Sequence, residues 1–330
     1  MYDERLSEVF VTDVTLREYG QNIPASSLRL FSPQIRTDIA LKLIEAGLRN
    51  LEVLSCVHPR ISPAMNPKII RTIARGIGKI EHVQLITLVP NQEGYRTFLS
   101  TGLGRDGYDH SLGIFFSAVE AHNLLNLGRT IKETLSDYGI IARDALHRKI
   151  RIVAYISAAF GYRPTGTKNL LLPAPEKLRG YLDRLLDMGA ATVTLSDLQG
   201  VADEKETATV LENILKNRSD KIAEKLGYHP HHAHKEKAVS NSWAAYKMGL
   251  RRFDASLGGT GGCVTGAPGN QPTERLVEFF EKRGISTRID LKALRTLSRF
   301  VYTALYRKIG IHLPSPNPLS AGTIVINQEG

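Results

Sequence analysis

The stretch EKLRGYLDRLLDMGAATVTLSDLQGVADEKETATVLENIL, residues 176–215, carries the pattern that decides the fold. Apolar residues three and four apart predict an amphipathic helix over 176–188, and Gly189 follows it as a residue that closes a helix with φ > 0. An apolar, β-branched run over 191–196 then predicts a strand, and helical spacing resumes over 204–215. Working outward, similar runs stand at 8–16, 50–57, 82–89, 109–117, 149–157, 225–231 and 252–257. A further helix is predicted over 35–47, where Ile39, Leu41, Leu43 and Ile44 share the spacing, and Gly47 and Gly249 again fall where caps are needed. Strand followed by helix, eight times in about 280 residues, is the pattern of a parallel (β/α)8 barrel, a TIM barrel, with an open doubly wound sheet as the second choice. One large α/β domain is expected over 1–312, with an extra C-terminal helix near 290–310. Residues 313–330, with Pro314, Pro316 and Pro318, read as an extended or partly disordered tail.

The composition agrees with a soluble globular protein: of 330 residues, 42% are hydrophobic and 23% charged, which excludes disorder and collagen-like repeats. A net charge of +10 raises two partner classes, nucleic acid and a small phosphorylated ligand. The basic residues are scattered in pairs such as Arg251-Arg252 and Arg307-Lys308 rather than gathered in one block, so no nucleic-acid partner is expected. Cys56 and Cys263 are the only cysteines, too few for a disulfide framework or an all-cysteine zinc site. The start, Met1-Tyr2-Asp3-Glu4-Arg5, lacks the basic-then-apolar order of a secretory signal, and no uncharged apolar run approaches membrane-spanning length. A soluble cytoplasmic protein with no membrane partner is expected.

In a barrel of this kind the active site lies at the C-terminal ends of the strands, so polar residues there are the candidates. The first run closes on Asp13-Val14-Thr15-Leu16-Arg17-Glu18-Tyr19-Gly20-Gln21. An arginine there stabilises an oxyanion and Glu18 binds a cation, or the two form a surface ion pair. In Leu51-Glu52-Val53-Leu54-Ser55-Cys56, alternation puts Glu52, Leu54 and Cys56 on one face, with Glu52 either holding Arg17 or taking part in chemistry. Cys56 reads as an inert core thiol. Asp197 ends the sixth run before Gly200, as a functional acid or as a helix N-cap.

The seventh run carries the strongest signal, His229-Pro230-His231-His232-Ala233-His234. Residues i and i+2 of a strand face the same way, so His229 and His231 reach one cation together, with His232 and His234 as the competing pair. Two imidazoles and a carboxylate suit Mn²⁺, with Mg²⁺, Co²⁺ and Zn²⁺ also compatible. Six glycines among residues 258–270 surround Cys263, a loop able to close over a ligand in which the thiol passes a proton or is incidental. Asn270 and Glu274 follow four apart, on one side of a helix start.

Taken in order, these pieces resemble the 3-hydroxy-3-methylglutaryl-CoA lyase family, within the metal-dependent TIM-barrel lyases and Claisen-type synthases. The likeness covers about residues 8–300 and rests on Arg17-Glu18, Leu51-Glu52, His229-Pro230-His231, Gly261-Gly262-Cys263, Gly269-Asn270 and Glu274, with Thr87-Leu88-Val89-Pro90-Asn91 and residues 191–200 also following the pattern. The resemblance implies a divalent cation held by Glu18, His229, His231 and Asn270. It implies Arg17 at the enolate oxygen, Asp197 taking the hydroxyl proton and Cys263 protonating the carbanion, with Glu52 and Glu274 in the catalytic set and Asp13 and Gln21 contacting substrate. The implied reaction is cleavage of a 3-hydroxy-3-methylglutaryl-CoA-like substrate to acetyl-CoA and a keto acid such as acetoacetate, in a homodimer. Three departures stand out: Glu18 replaces the family's aspartate, Leu198 replaces the threonine usual after the acid, and the segment from His231 to Met248 is one residue longer. Claisen condensation and a basic barrel that has lost its chemistry are the competing functions.

Overall fold

The computed structural model describes residues 8–22, 25–105, 107–219, 221–261 and 269–303. Eight parallel strands close in sequence order, β1 Phe10–Asp13, β2 Asn50–Ser55, β3 Gln84–Leu88, β4 Ser111–Ser117, β5 Ile152–Ser157, β6 Ala190–Asp197, β7 Leu226–Pro230 and β8 Arg252–Ala255. Closure is direct: β1 pairs with β8 from Phe10↔Arg252 to Asp13↔Ala255, which rules out the open sheet. Around the strands run α1 Thr15–Asn22, α2 Pro33–Glu45, α3 Pro67–Ile77, α4 Gln92–Ser100, α5 Glu120–Leu127, α6 Ile131–His147, α7 Pro175–Asp187, α8 Glu204–Leu215, α9 Lys221–Lys225, α10 Lys235–Lys247, α11 Thr273–Glu281 and α12 Leu291–Val301. None of the described helices is long and apolar enough to cross a membrane.

Local chemistry sets these boundaries. The Ser32 hydroxyl accepts from Ile35 N ahead of Pro33, and capping boxes at Thr130/Glu133 and Asp203/Glu206 start α6 and α8. Gly47, Gly189 and Gly249 all carry positive φ, as their positions after helices demand. The main core lies between strands and helices, from Leu51 and Val53 on β2 to Leu276 and Phe280 on α11. Ile86, Leu88, Val153 and Tyr155 form a separate layer in the barrel lumen.

Two expectations are corrected. The first strand stops at Asp13, and Arg17 and Glu18 stand instead on α1, a short helix that carries them across the barrel mouth. Strict alternation in β2 also fails, because the register with β3 shifts between Glu52 and Leu54. Glu52 pairs with lumen-facing Ile86 and Ser55 with lumen-facing Leu88, so Ser55 shares the face of Glu52 while Leu54 and Cys56 join the main core. The extra helix is described over Leu291–Val301, and the rest of its expected span from 304 and the tail at 313–330 lie outside the described residues.

Candidate metal centre

Glu18, His229 and His231 bring one ligand atom each to within 4.8 Å of one another, all three side chains buried. His229 and His231 reach this point because β7 ends at Pro230, with Ser196↔His229 and Asp197↔Pro230 in register with β6 and the His231 N–H donating to Asp197 O at 3.0 Å. Their Nε2 atoms stand 3.0 Å apart. Two imidazole nitrogens bound at right angles to one cation, each at about 2.1 Å, are separated by about that distance. His232 and His234 do not join them: His234 is exposed, and its N–H donates to His232 Nδ1 at 2.8 Å.

Asp254, which sequence reading missed, accepts from or donates to His229 Nδ1 at 3.0 Å through its Oδ2 atom. A carboxylate on Nδ1 keeps that nitrogen protonated and turns the lone pair of Nε2 toward the cluster, the usual support of a metal-binding histidine. The run Arg252-Phe253-Asp254-Ala255 gives no local sign of this, and only the pairing of β7 with β8 brings the two residues together.

Asn270 lies beside the cluster. It bridges backbone to backbone with His231, and its Nδ2 donates to Thr260 O at 2.7 Å. Its Oδ1 is buried without a hydrogen-bond donor among the described residues. A Cβ on Gly261 would fall 2.8 Å from both Asn270 Nδ2 and Glu18 Oε2, so the amide and the carboxylate flank one point. An orphaned acceptor beside a carboxylate and two facing imidazoles fits a divalent cation, which would satisfy all four.

Arg17 lies between two acids: its Nε donates to Glu52 Oε1 and its Nη1 to Glu18 Oε1. Burial alone would raise the Glu18 carboxyl, but Arg17, His231 and His229 together hold it below the ordinary carboxylate range, so it is an anion ready for a cation. Burial opposes the charge on Arg17 too, yet Glu18 and Glu52 push it further up and keep it a cation. Tyr155, from the lumen layer, faces Glu52, and burial and that carboxylate keep its phenol protonated.

Three other expected site residues are placed elsewhere, and two more have side chains outside the described part. Asp13 accepts from Thr15 N at 3.0 Å and from Thr273 Oγ1 at 2.8 Å, binding the end of β1 to α1 and α11 rather than facing the cluster. Asp197 accepts from Val201 N and Ala202 N, both at 3.0 Å, and so holds the turn after β6. Glu274 accepts from Gly258 N and from Ser298 Oγ at 3.0 Å, fixing the stem of the glycine-rich loop. Gln21 lies on α1 with its side chain outside the described part, as does all of Cys263.

The HMGL-like family profile matches residues 8–301. The chain belongs to the HMGL-like family. It is 30% identical to the hydroxymethylglutaryl-CoA lyase of Bacillus subtilis over 92% of this chain and 96% of that protein. It is also 30% identical to the (R)-citramalyl-CoA lyase of Chloroflexus aurantiacus, over 92% of this chain and 93% of that one. Among solved structures, an HMG-CoA lyase from Acinetobacter baumannii in complex with coenzyme A and 3-methylmalate superposes with a TM-score of 0.80 at 27% identity, covering 94% of each chain. HMGL-like lyases are metal-dependent carbon–carbon lyases; this chain is one of them, and its Glu18, His229 and His231 form a cluster that could hold a metal.

Proposed function

We propose that this lyase cleaves a 3-hydroxyacyl-CoA of the 3-hydroxy-3-methylglutaryl or citramalyl type to acetyl-CoA and a keto acid. The observation that carries the reading is the buried Glu18, His229 and His231 cluster with Arg17 donating to Glu18 beside it. Glu18, His229, His231 and Asn270 would hold Mn²⁺ or Mg²⁺, with Co²⁺ or Zn²⁺ compatible with the same ligands. The chemistry a bound cation supplies at such a site is polarisation of the hydroxyl and carbonyl oxygens of the acyl group.

The rest falls to the protein. Arg17, fixed between Glu18 and Glu52, offers a permanent positive charge to the enolate oxygen that develops on the thioester as the C–C bond breaks. Asp254 fixes the tautomer of His229. Cys263 is assigned the proton for the carbanion on its place in the loop sequence. Asp197 is kept as the acid–base candidate although it also holds the turn after β6; burial lifts it to about 6 against the backbone amides of that turn. Glu274 and Asp13 serve the scaffold of the mouth, Gln21 is kept as a substrate contact, and a cytoplasmic homodimer completes the reading.

The test is turnover of 3-hydroxy-3-methylglutaryl-CoA and citramalyl-CoA by the Mn²⁺- or Mg²⁺-supplemented protein, with products followed by mass spectrometry. Acetyl-CoA with acetoacetate or pyruvate is expected. Release of free CoA from acetyl-CoA plus a keto acid, with no cleavage, would replace this reading by condensation. Light scattering checks the dimer, and a monomeric mass contradicts it.

A further inference from the structure

Gly258 opens the glycine-rich loop, and both of its backbone polar groups are taken by charged side chains. Its N–H donates to the Glu274 carboxylate at 3.1 Å, and its carbonyl accepts from the ammonium of Lys235. With φ at +65° the residue lies in the left-handed region, and as a glycine it has no side chain to resist rotation. The two charged contacts, one on each side of its Cα, fix what the residue itself leaves free. Glu274 comes from α11 and is held in turn by Ser298 of α12. Lys235 opens α10, four residues after His231, in the segment that is one residue longer than the family pattern. It has no part in the catalytic set.

From Gly258 the contacts lead straight to the metal centre. A Cβ on Gly259 would fall 3.2 Å from Lys235 Cε and 2.7 Å from Asn270 O, so the lysine stem and the Asn270 backbone flank one point. Thr260 follows, fully buried, and its carbonyl accepts from Asn270 Nδ2 at 2.7 Å and from Ser256 Oγ at 2.6 Å. The first of these bonds holds the amide by its nitrogen and leaves Oδ1 as the end without a donor. Gly261, next in the chain, packs between Glu18 and Asn270. Among the described residues the one hydrogen bond of Lys235 is to Gly258 O. Burial lowers this ammonium below its ordinary value, against the pull of Glu274, so the contact is kept in spite of a desolvation cost. The neighbouring Arg275 is drawn off by Glu236.

We propose that Lys235 is a positioning residue of the metal centre: by holding the Gly258 carbonyl it sets the turn through Thr260, whose own carbonyl orients the Asn270 amide toward the cation. This rests on the reading of Asn270 as a ligand, and it deepens that reading by naming what aims the amide. Groups that orient a metal ligand from outside the coordination sphere are typically worth about 10–100-fold in metal affinity. Lys235 acts one step further out than the Thr260 carbonyl, so the lower end of that range applies. A methionine at 235 keeps the packing against Gly259 but supplies no donor, and an arginine restores both donor and charge.

The experiment is a Mn²⁺ titration of the full chain, with free ion read from its paramagnetic resonance signal, for the wild type, Lys235→Met, Lys235→Arg, Asn270→Ala and the double variant Lys235→Met/Asn270→Ala. Lys235→Met is expected to weaken binding about tenfold and Lys235→Arg less than about threefold. In the Asn270→Ala background the methionine should change the affinity less than about twofold, because the ligand through which Lys235 acts is gone. Wild-type affinity in Lys235→Met overturns the proposal, as does an undiminished tenfold loss in the Asn270→Ala background or a loss in Lys235→Arg as great as in Lys235→Met. Lys235→Gln takes the place of the methionine variant should that one fail to fold. Wild-type affinity in Asn270→Ala sinks the reading of Asn270 as a ligand, whereas a weakened Asn270→Ala beside an unaffected Lys235→Met keeps that reading and sinks only the role of Lys235.

Discussion

A Cβ on Gly261 would stand 2.7 Å from Glu18 Cβ and 2.8 Å from Asn270 Nδ2, and the residue's φ of +89° already disfavours a side chain. Gly261→Ala is therefore expected to weaken Mn²⁺ binding more than about tenfold by prising apart Glu18 and Asn270; calorimetric titration showing wild-type affinity would contradict it. Asp254→Asn is expected to cost about 10–100-fold in the same titration, because the amide no longer enforces the Nδ1–H tautomer of His229. Arg17→Met leaves Glu52 buried with no counter-charge and should lower stability by about 3–5 kcal/mol in urea unfolding, unlike the double variant with Glu52→Gln. At this scale the sequence is legible where a local rule operates. The histidine pair follows from the two-residue period of a strand, and Glu18 from its place after β1. Asp254 and the shifted face of Ser55 were not legible, since one depends on which strands are neighbours and the other on a bulge between Glu52 and Leu54.

Elements at the mouth are tied together by acids that were expected to touch substrate. Burial raises Asp13 to about 6 from 3.8, despite its bonds from Thr15 and Thr273. The folded chain therefore keeps a proton that the unfolded chain has already released, and stability from this group is present below about pH 4 and lost as pH rises toward 6. Asp13→Asn does not titrate, so the difference in unfolding free energy between wild type and variant should shift against the wild type from pH 4 to pH 6.5. A difference that is constant or moves the other way refutes this. The stem of the glycine-rich loop depends likewise on Glu274, held between Gly258 and Ser298 of α12. Glu274→Ala should destabilise by about 1–3 kcal/mol, with Ser298→Ala costing less, because only the first takes the carboxylate acceptor from the half-buried Gly258 N–H. Helices α7 and α8 matched their periodicity to within a residue, but α1 did not announce itself: its eight residues, Thr15–Asn22, are too short for helical spacing to outweigh the strand they follow.

For the whole molecule, the closed barrel was legible because all eight strands lie within or one residue beyond the runs that predict them, and eight strand–helix units leave few alternatives to closure. The excess of basic residues, +10 overall, acts at this scale as well. It draws in a substrate bearing several phosphates, so KM for an acyl-CoA should rise several-fold between about 20 and 200 mM salt while kcat changes little; a salt-independent KM would show that the charge serves something else. The closing of β1 against β8 has a further consequence for how the protein comes into being. Glu18 is made early, and His229, His231 and Asn270 more than 200 residues later, an interval on the order of ten seconds or more on the ribosome. Until then Glu18 stands in the emerging chain without either imidazole of its own cluster, so these three ligands come together only after the last strands have been made and the barrel can close.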